Sequence, residues 1–137
     1  MEDQTRIPKL LALPVVMLLL MTAPARAAGP FDGSKPFLCA VATVMECDLS
    51  GQCERNIEDA PKVAFIRVDV GARKVVTSAE RTSALKSVAH LNGHLILQGS
   101  EDGRGWSATI AEGSGRMAAA VVDNDHTFSL FGACTLP

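Results

Sequence analysis

The sequence predicts an all-β domain: an antiparallel up-and-down meander of seven to eight strands that forms a small barrel or sandwich, stapled by disulfides. Three observations carry this reading. Short runs with apolar residues at alternate positions recur between Phe37 and Cys134, separated by Gly, Asn, Asp and Pro, as expected for strands joined by tight turns. One connection, Asn92-Gly93, is the dipeptide preferred by a two-residue type I′ hairpin, whose central positions both need positive φ. The four cysteines form an even set, the usual sign of disulfides in an exported chain.

The N-terminal segment reads as an export signal. Arg6 and Lys9 precede an apolar run from Leu10 to Met21, and Ala25-Arg26-Ala27 supplies a small-residue cleavage site, so residues 1–27 are expected to be a signal peptide removed after Ala27. The run is broken by Pro14 and is shorter than the roughly 20 residues a membrane-spanning helix needs. No stable membrane insertion is therefore expected after cleavage. Residues 28–137 then form a single β domain in the periplasm or the extracellular space.

A Gly/Pro segment from Ala28 to Pro36 leads into the first strand, Phe37 to Glu46, where Phe37, Cys39, Val41, Met45 and Cys47 share one parity and should face inward. Val63 to Val70 follows, with Ile66, Val68 and Val70 opposite Arg67 and Asp69. Gly71 and Ala72 turn the chain into Arg73 to Ser78. The next pair, Ala84 to Leu91 and His94 to Ser100, flanks Asn92-Gly93. Trp106 to Ala111, Arg116 to Asp123 and Thr127 to Cys134 complete the series. The segment Ser78 to Val88 has fair helix propensity, and a short helical turn is allowed there.

Among the possible cysteine pairings, Cys47 with Cys53 brackets a glycine turn, and Cys39 with Cys134 joins inward positions of the first and last strands. The second pairing is what barrel closure requires. The spacing lacks the close cysteine pairs of structural zinc sites, and there is no Cys-x-x-Cys of the thiol-disulfide enzymes.

The net charge of −2 offers nothing to attract nucleic acid or an anionic membrane. Five Phe, one Trp and no Tyr leave few faces on which sugars or bases could stack. His90 and His94 invite a metal reading, but a two-residue turn at Asn92-Gly93 sends their side chains to opposite faces. Asp48, Ser50 and Glu54, and likewise Asp123, Asn124 and Asp125, resemble calcium ligands without matching the calcium-loop pattern. Turn formation explains them better. Ser114 lacks the G-x-S-x-G setting of a nucleophile, and Cys134 with His126 would make a thiol-base pair only if Cys134 were free. No catalytic residue, metal or cofactor is expected. Trp106, among Gly103, Gly105 and Ser107, is read as a core or barrel-end plug, with ligand stacking as the alternative. Trp106, His90 and His94 are the candidate ligand contacts.

The segments Leu91 to Gly99 (LNGHLILQG), Gly103 to Ile110 (GRGWSATI) and Ser129 to Thr135 (SLFGACT) resemble those of small secreted bacterial proteins of uncharacterised function. Those proteins share a cysteine-containing first strand and a G-A-C-T-like tail. The resemblance implies export and bacterial origin and carries no activity.

The resulting expectation is a non-catalytic binding or interaction module of the bacterial envelope whose partner is another envelope protein. A carrier holding a small apolar ligand inside the barrel is the alternative, and a hydrolase or thiol enzyme is third. A carrier needs a cavity of some hundreds of Å3, whereas an interaction module needs an apolar surface patch.

Overall fold

The computed structural model describes residues 29–56 and 58–137. The expected signal peptide, residues 1–27, lies outside the described residues. Among these there are nine strands: β1 (Phe37–Asp48), β2 (Cys53–Arg55), β3 (Phe65–Asp69), β4 (Lys74–Thr77), β5 (Thr82–Leu91), β6 (His94–Glu101), β7 (Arg104–Ala111), β8 (Arg116–Val122) and β9 (His126–Thr135). Strands β3 to β9 follow one another in chain order, β3 pairs with the start of β1, and β9 pairs along the other side of β1. Eight antiparallel strands thus close into a barrel, and β2 is an extra strand beside the second half of β1.

Closure follows from matching inward faces. In β9, Leu130 and Cys134 are buried on the parity they share with Phe128, and in β1 Phe37 and Cys39 are buried. Cys39 stands directly opposite Cys134 in the register, and a disulfide joins them. A second disulfide joins Cys47 and Cys53 across the β1–β2 hairpin. The turn at Asn92-Gly93 has the expected two residues, with φ of 51° and 77°, and pairs Leu91 with His94 and His90 with Leu95.

Three local expectations are corrected. The single parity assumed for the first strand breaks at a bulge between Val41 and Thr43. Val44, not Met45 or Cys47, is therefore the buried residue beyond it. The helical turn allowed within Ser78 to Val88 is absent: β5 begins at Thr82, with Ser83 and Leu85 buried between exposed neighbours, and this period of two overrides modest helix propensity. A one-turn 3-10 helix, Ala60–Val63, instead occupies the segment around Pro61 and delays β3 to Phe65.

The two ends of the barrel differ. At one end, Phe31 packs edge-on against Phe37, with ring centroids 5.9 Å apart, and joins Cys39, Leu95, Ile110 and Cys134 in one buried cluster. The segment carrying Phe31 is held by its N–H, which donates to the Glu112 carbonyl at 3.0 Å. This end is solid. The other end is ringed by the connections after β2, β4, β6 and β8.

The Cys39–Cys134 bridge spans 95 positions and the Cys47–Cys53 bridge six. Chain-entropy reasoning assigns them upper figures of about 4.7 and about 2.4 kcal/mol. Replacing Cys39 and Cys134 by Ser should therefore lower the unfolding free energy in urea about twice as much as replacing Cys47 and Cys53. An equal loss from both double variants would show that barrel closure does not rest on the long bridge.

Candidate functional site: an apolar cup with a charged rim

Between the solid end and the open end the barrel holds a cavity of about 410 Å3. Its floor is formed by Val68, Leu97, Ile110 and Met117, and its walls include Val44, Val75, Ala108, Ala119 and Leu130. The space follows from small side chains. Ala108 on β7 stands directly opposite Ala119 on β8, both line the cavity, and two adjacent methyls leave unfilled the volume that larger residues would occupy. The structure places the Ala119 side in the cavity wall.

Trp106 lies across the inside of the wall. Its register partners are Gly99 on β6 and Val121 on β8. A Cβ on Gly99 would come within 2.4 Å of the indole ring and 2.6 Å of the Ala84 carbonyl oxygen, so glycine is what lets the ring lie flat over β6. Passing over that gap, the indole Nε1–H donates to Ser83 Oγ on β5 at 2.8 Å. Trp106 is thus part of the cavity lining and is fixed by a hydrogen bond to a buried serine.

The rim is charged and internally paired. Lys62 Nζ meets Asp59 Oδ1 at 2.6 Å, Arg81 meets Glu101 and Asp102 at 3.0 Å each, and Arg104 meets Asp123 at 3.4 Å. Arg104 also lies over the Phe128 ring, 5.8 Å from its centroid. Hydrogen bonds from Lys62 and then from Asn56 hold the Asp59 carboxyl below its ordinary pKa. The backbone N–H groups of Asp125 and His126 do the same for Asp123. Asn56, buried behind the rim, donates to Glu46 and Asp59 and accepts from the Asp59 N–H. It ties the Asp59 connection back to β1.

The other candidates fall elsewhere. His90 is at the solid end, with Nδ1 2.7 Å from Glu112 Oε1. His94 meets the Asn92 carbonyl at 3.1 Å. Neither lines the cup. Among the described residues no group of three or more His, Cys, Asp or Glu is placed to hold a metal ion, and all four cysteines are in disulfides. His126 and Cys134 stand near opposite ends of β9, too far apart to act as base and thiol. Ser114 accepts from the Arg116 N–H at 3.4 Å inside a turn. Asp48 is occupied by its own turn, accepting from the Ser50 hydroxyl at 2.6 Å, the Ser50 N–H at 2.8 Å and the Gln52 N–H at 3.2 Å. The Ser50 hydroxyl is the main cause of its lowered pKa.

Sequence reasoning singled out Trp106, which lines the cavity, and passed over Ser83, Thr77 and the rim. The available signal was the alternation of Ser83 with Leu85, which places a hydroxyl on an inward face. Scans against known protein families, curated proteins and solved structures find no match to this chain. Among the described residues no helix is long and apolar enough to cross a membrane.

Two outcomes follow. Gly99→Ala should cost about 1–3 kcal/mol in urea unfolding, as overpacking does, and shift Trp106 emission to longer wavelength as the ring is pushed off Ser83. Unchanged emission would show that the ring does not depend on the gap. Because the carboxyls of Asp48, Asp59 and Asp123 have lowered folded-state pKa values, the stability they contribute is present above the unfolded value of about 3.9. It is lost as pH falls through the folded values. The melting temperature should drop below about pH 4, less steeply in Asp48→Asn with Asp123→Asn; an equally steep drop in that variant would place the acid sensitivity elsewhere.

Proposed function

We propose that this protein is an exported, non-catalytic carrier that holds one small, mostly apolar molecule in the cup of its barrel, in the periplasm or outside the cell. The observation that carries this reading is the cavity of about 410 Å3, apolar on floor and walls and open at one end. That volume lies within the roughly 300–1,000 Å3 of small-molecule sites, and eight-stranded barrels are the size that can retain one small ligand. Both disulfides suit an oxidising compartment, in keeping with the signal peptide expected from the sequence.

We put the carrier reading ahead of the interaction module that sequence reasoning put first, because the cavity is the feature a carrier needs. An interaction module calls for a contiguous apolar patch; the large exposed apolar side chains sit on several elements, with Phe65 and Phe131 on the two strands that flank β1. Leu49 is in the β1–β2 turn, Leu91 at the end of β5, Phe65 at the start of β3, Phe131 on β9, Val122 at the end of β8 and Leu136 in the tail. The hydrolase and thiol readings gain no support from the positions of Ser114, His126 and Cys134.

A neutral apolar fluorophore, N-phenyl-1-naphthylamine, tests the reading. It should bind the disulfide-intact protein at one equivalent, and Ala119→Trp, which fills the cup from its wall, should abolish binding. Phe131→Ser on the outer surface should leave binding unchanged. Retained binding in Ala119→Trp, with loss in Phe131→Ser, would move the site to the outside of the barrel and overturn the carrier reading.

A further inference from the structure

We propose that the cup selects an uncharged apolar molecule bearing a carbonyl oxygen, and orients that oxygen toward the β4–β5 wall through the hydroxyls of Ser83 and Thr77. This inference rests on the carrier reading and names its ligand class.

The wall built by β4 and β5 differs from the rest of the cup. Val75 pairs with Ser83 in the register, and the Thr77 N–H donates to the Arg81 carbonyl one step nearer the mouth. Val75, Thr77, Ser83 and Arg81 all line the cavity, so one wall places two hydroxyls between an apolar floor and the rim. Ser83 is more than nine-tenths buried. Its oxygen accepts the indole N–H of Trp106 at 2.8 Å, and its own proton is given to no group among the described residues. A hydroxyl carries one donor as well as its acceptor sites, and the indole takes an acceptor site, leaving the donor free. Thr77 Oγ1 is buried and has no hydrogen-bond partner among the described residues. Buried polar groups are ordinarily satisfied, so the spare donor of Ser83 points to an acceptor brought by the ligand, and Thr77, whose Oγ1 is shut off from the cavity as it stands, joins it when its side chain turns about χ1 and exchanges methyl for hydroxyl.

The charge on that acceptor follows from the rim. Lys62, Arg81 and Arg104 each already face a carboxylate. A carboxylate ligand would have to lose its water beside Asp59 and Glu101 with no unpaired cation among the described rim residues to receive it, and an unpaired buried anion is strongly disfavoured. A neutral carbonyl accepts two hydrogen bonds and carries no such penalty. Its apolar remainder would lie against Leu97, Ile110, Met117 and Leu130.

Trp106 is the protein's single tryptophan and bonds directly to Ser83, so its indole N–H resonance reports on this wall. Nitrogen-15 correlation spectra of the disulfide-intact protein can be titrated at neutral pH with naphthalene, 1-acetonaphthone and 1-naphthoate, which share a ring system and differ in the polar group. The ketone should bind about tenfold more tightly than the hydrocarbon, the effect of a hydrogen bond or two, and more tightly than the carboxylate. Thr77→Val and Ser83→Ala should each reduce that advantage, read within each variant as the ratio of the ketone's affinity to that of naphthalene. Thr77→Val keeps the Trp106–Ser83 bond and decides the matter if Ser83→Ala fails to fold. Equal affinities, or tightest binding of 1-naphthoate, would overturn the assignment and leave the carrier reading standing. Failure of all three to shift any resonance from the cup would remove the carrier reading, and this inference with it.

Discussion

The pairing of β1 with β9 is the constraint on which the rest of the molecule depends. A meander of strands β3 to β9 has two free edges, and β1 removes both by pairing with β3 on one side and with β9 on the other. The pairing runs the length of both strands and is locked near the solid end by Cys39 and Cys134. Closure sets the width of the interior, and the side chains then decide how it is used. Where Phe31, Phe37, Leu95 and Ile110 point inward the interior is full. Where Ala108 faces Ala119 it is empty.

Most of the architecture was legible in the sequence because it rests on local signals. Alternation, turn dipeptides and the shared inward parity of Cys39 and Cys134 all concern residues near one another in the chain or on one strand face. The errors fall where a nonlocal adjustment intervenes. The bulge after Val41 moves the inward position to Val44, and a second irregularity between Leu85 and Ser87 on β5 shifts parity in the same way. Neither leaves a compositional mark. Strand β2 was missed because three residues, all exposed, carry no alternation.

The site was less legible than the fold. Trp106 stood out as the one indole in the chain, yet its role depends on Gly99 one strand away and Ser83 two strands away. Those neighbours are fixed only by the register of β5, β6 and β7. Thr77 and Ser83 look like ordinary strand residues until closure places them among the residues that line the cup. His90 and His94, chemically more conspicuous, lie near the solid end, where one meets a carboxylate and the other a backbone carbonyl.

Strand β2 has a consequence for solubility. Beyond Ala40, β1 runs past the end of β3, and its backbone there would be an open template for pairing with another chain. β2 covers that stretch from Met45 to Cys47, and the Cys47–Cys53 bridge keeps the cover in place. Its own outer edge is only three residues long, and two of them, Glu54 and Arg55, are charged. Short, charged edges resist edge-to-edge aggregation, so the small hairpin covers part of the edge that β1 presents beyond β3.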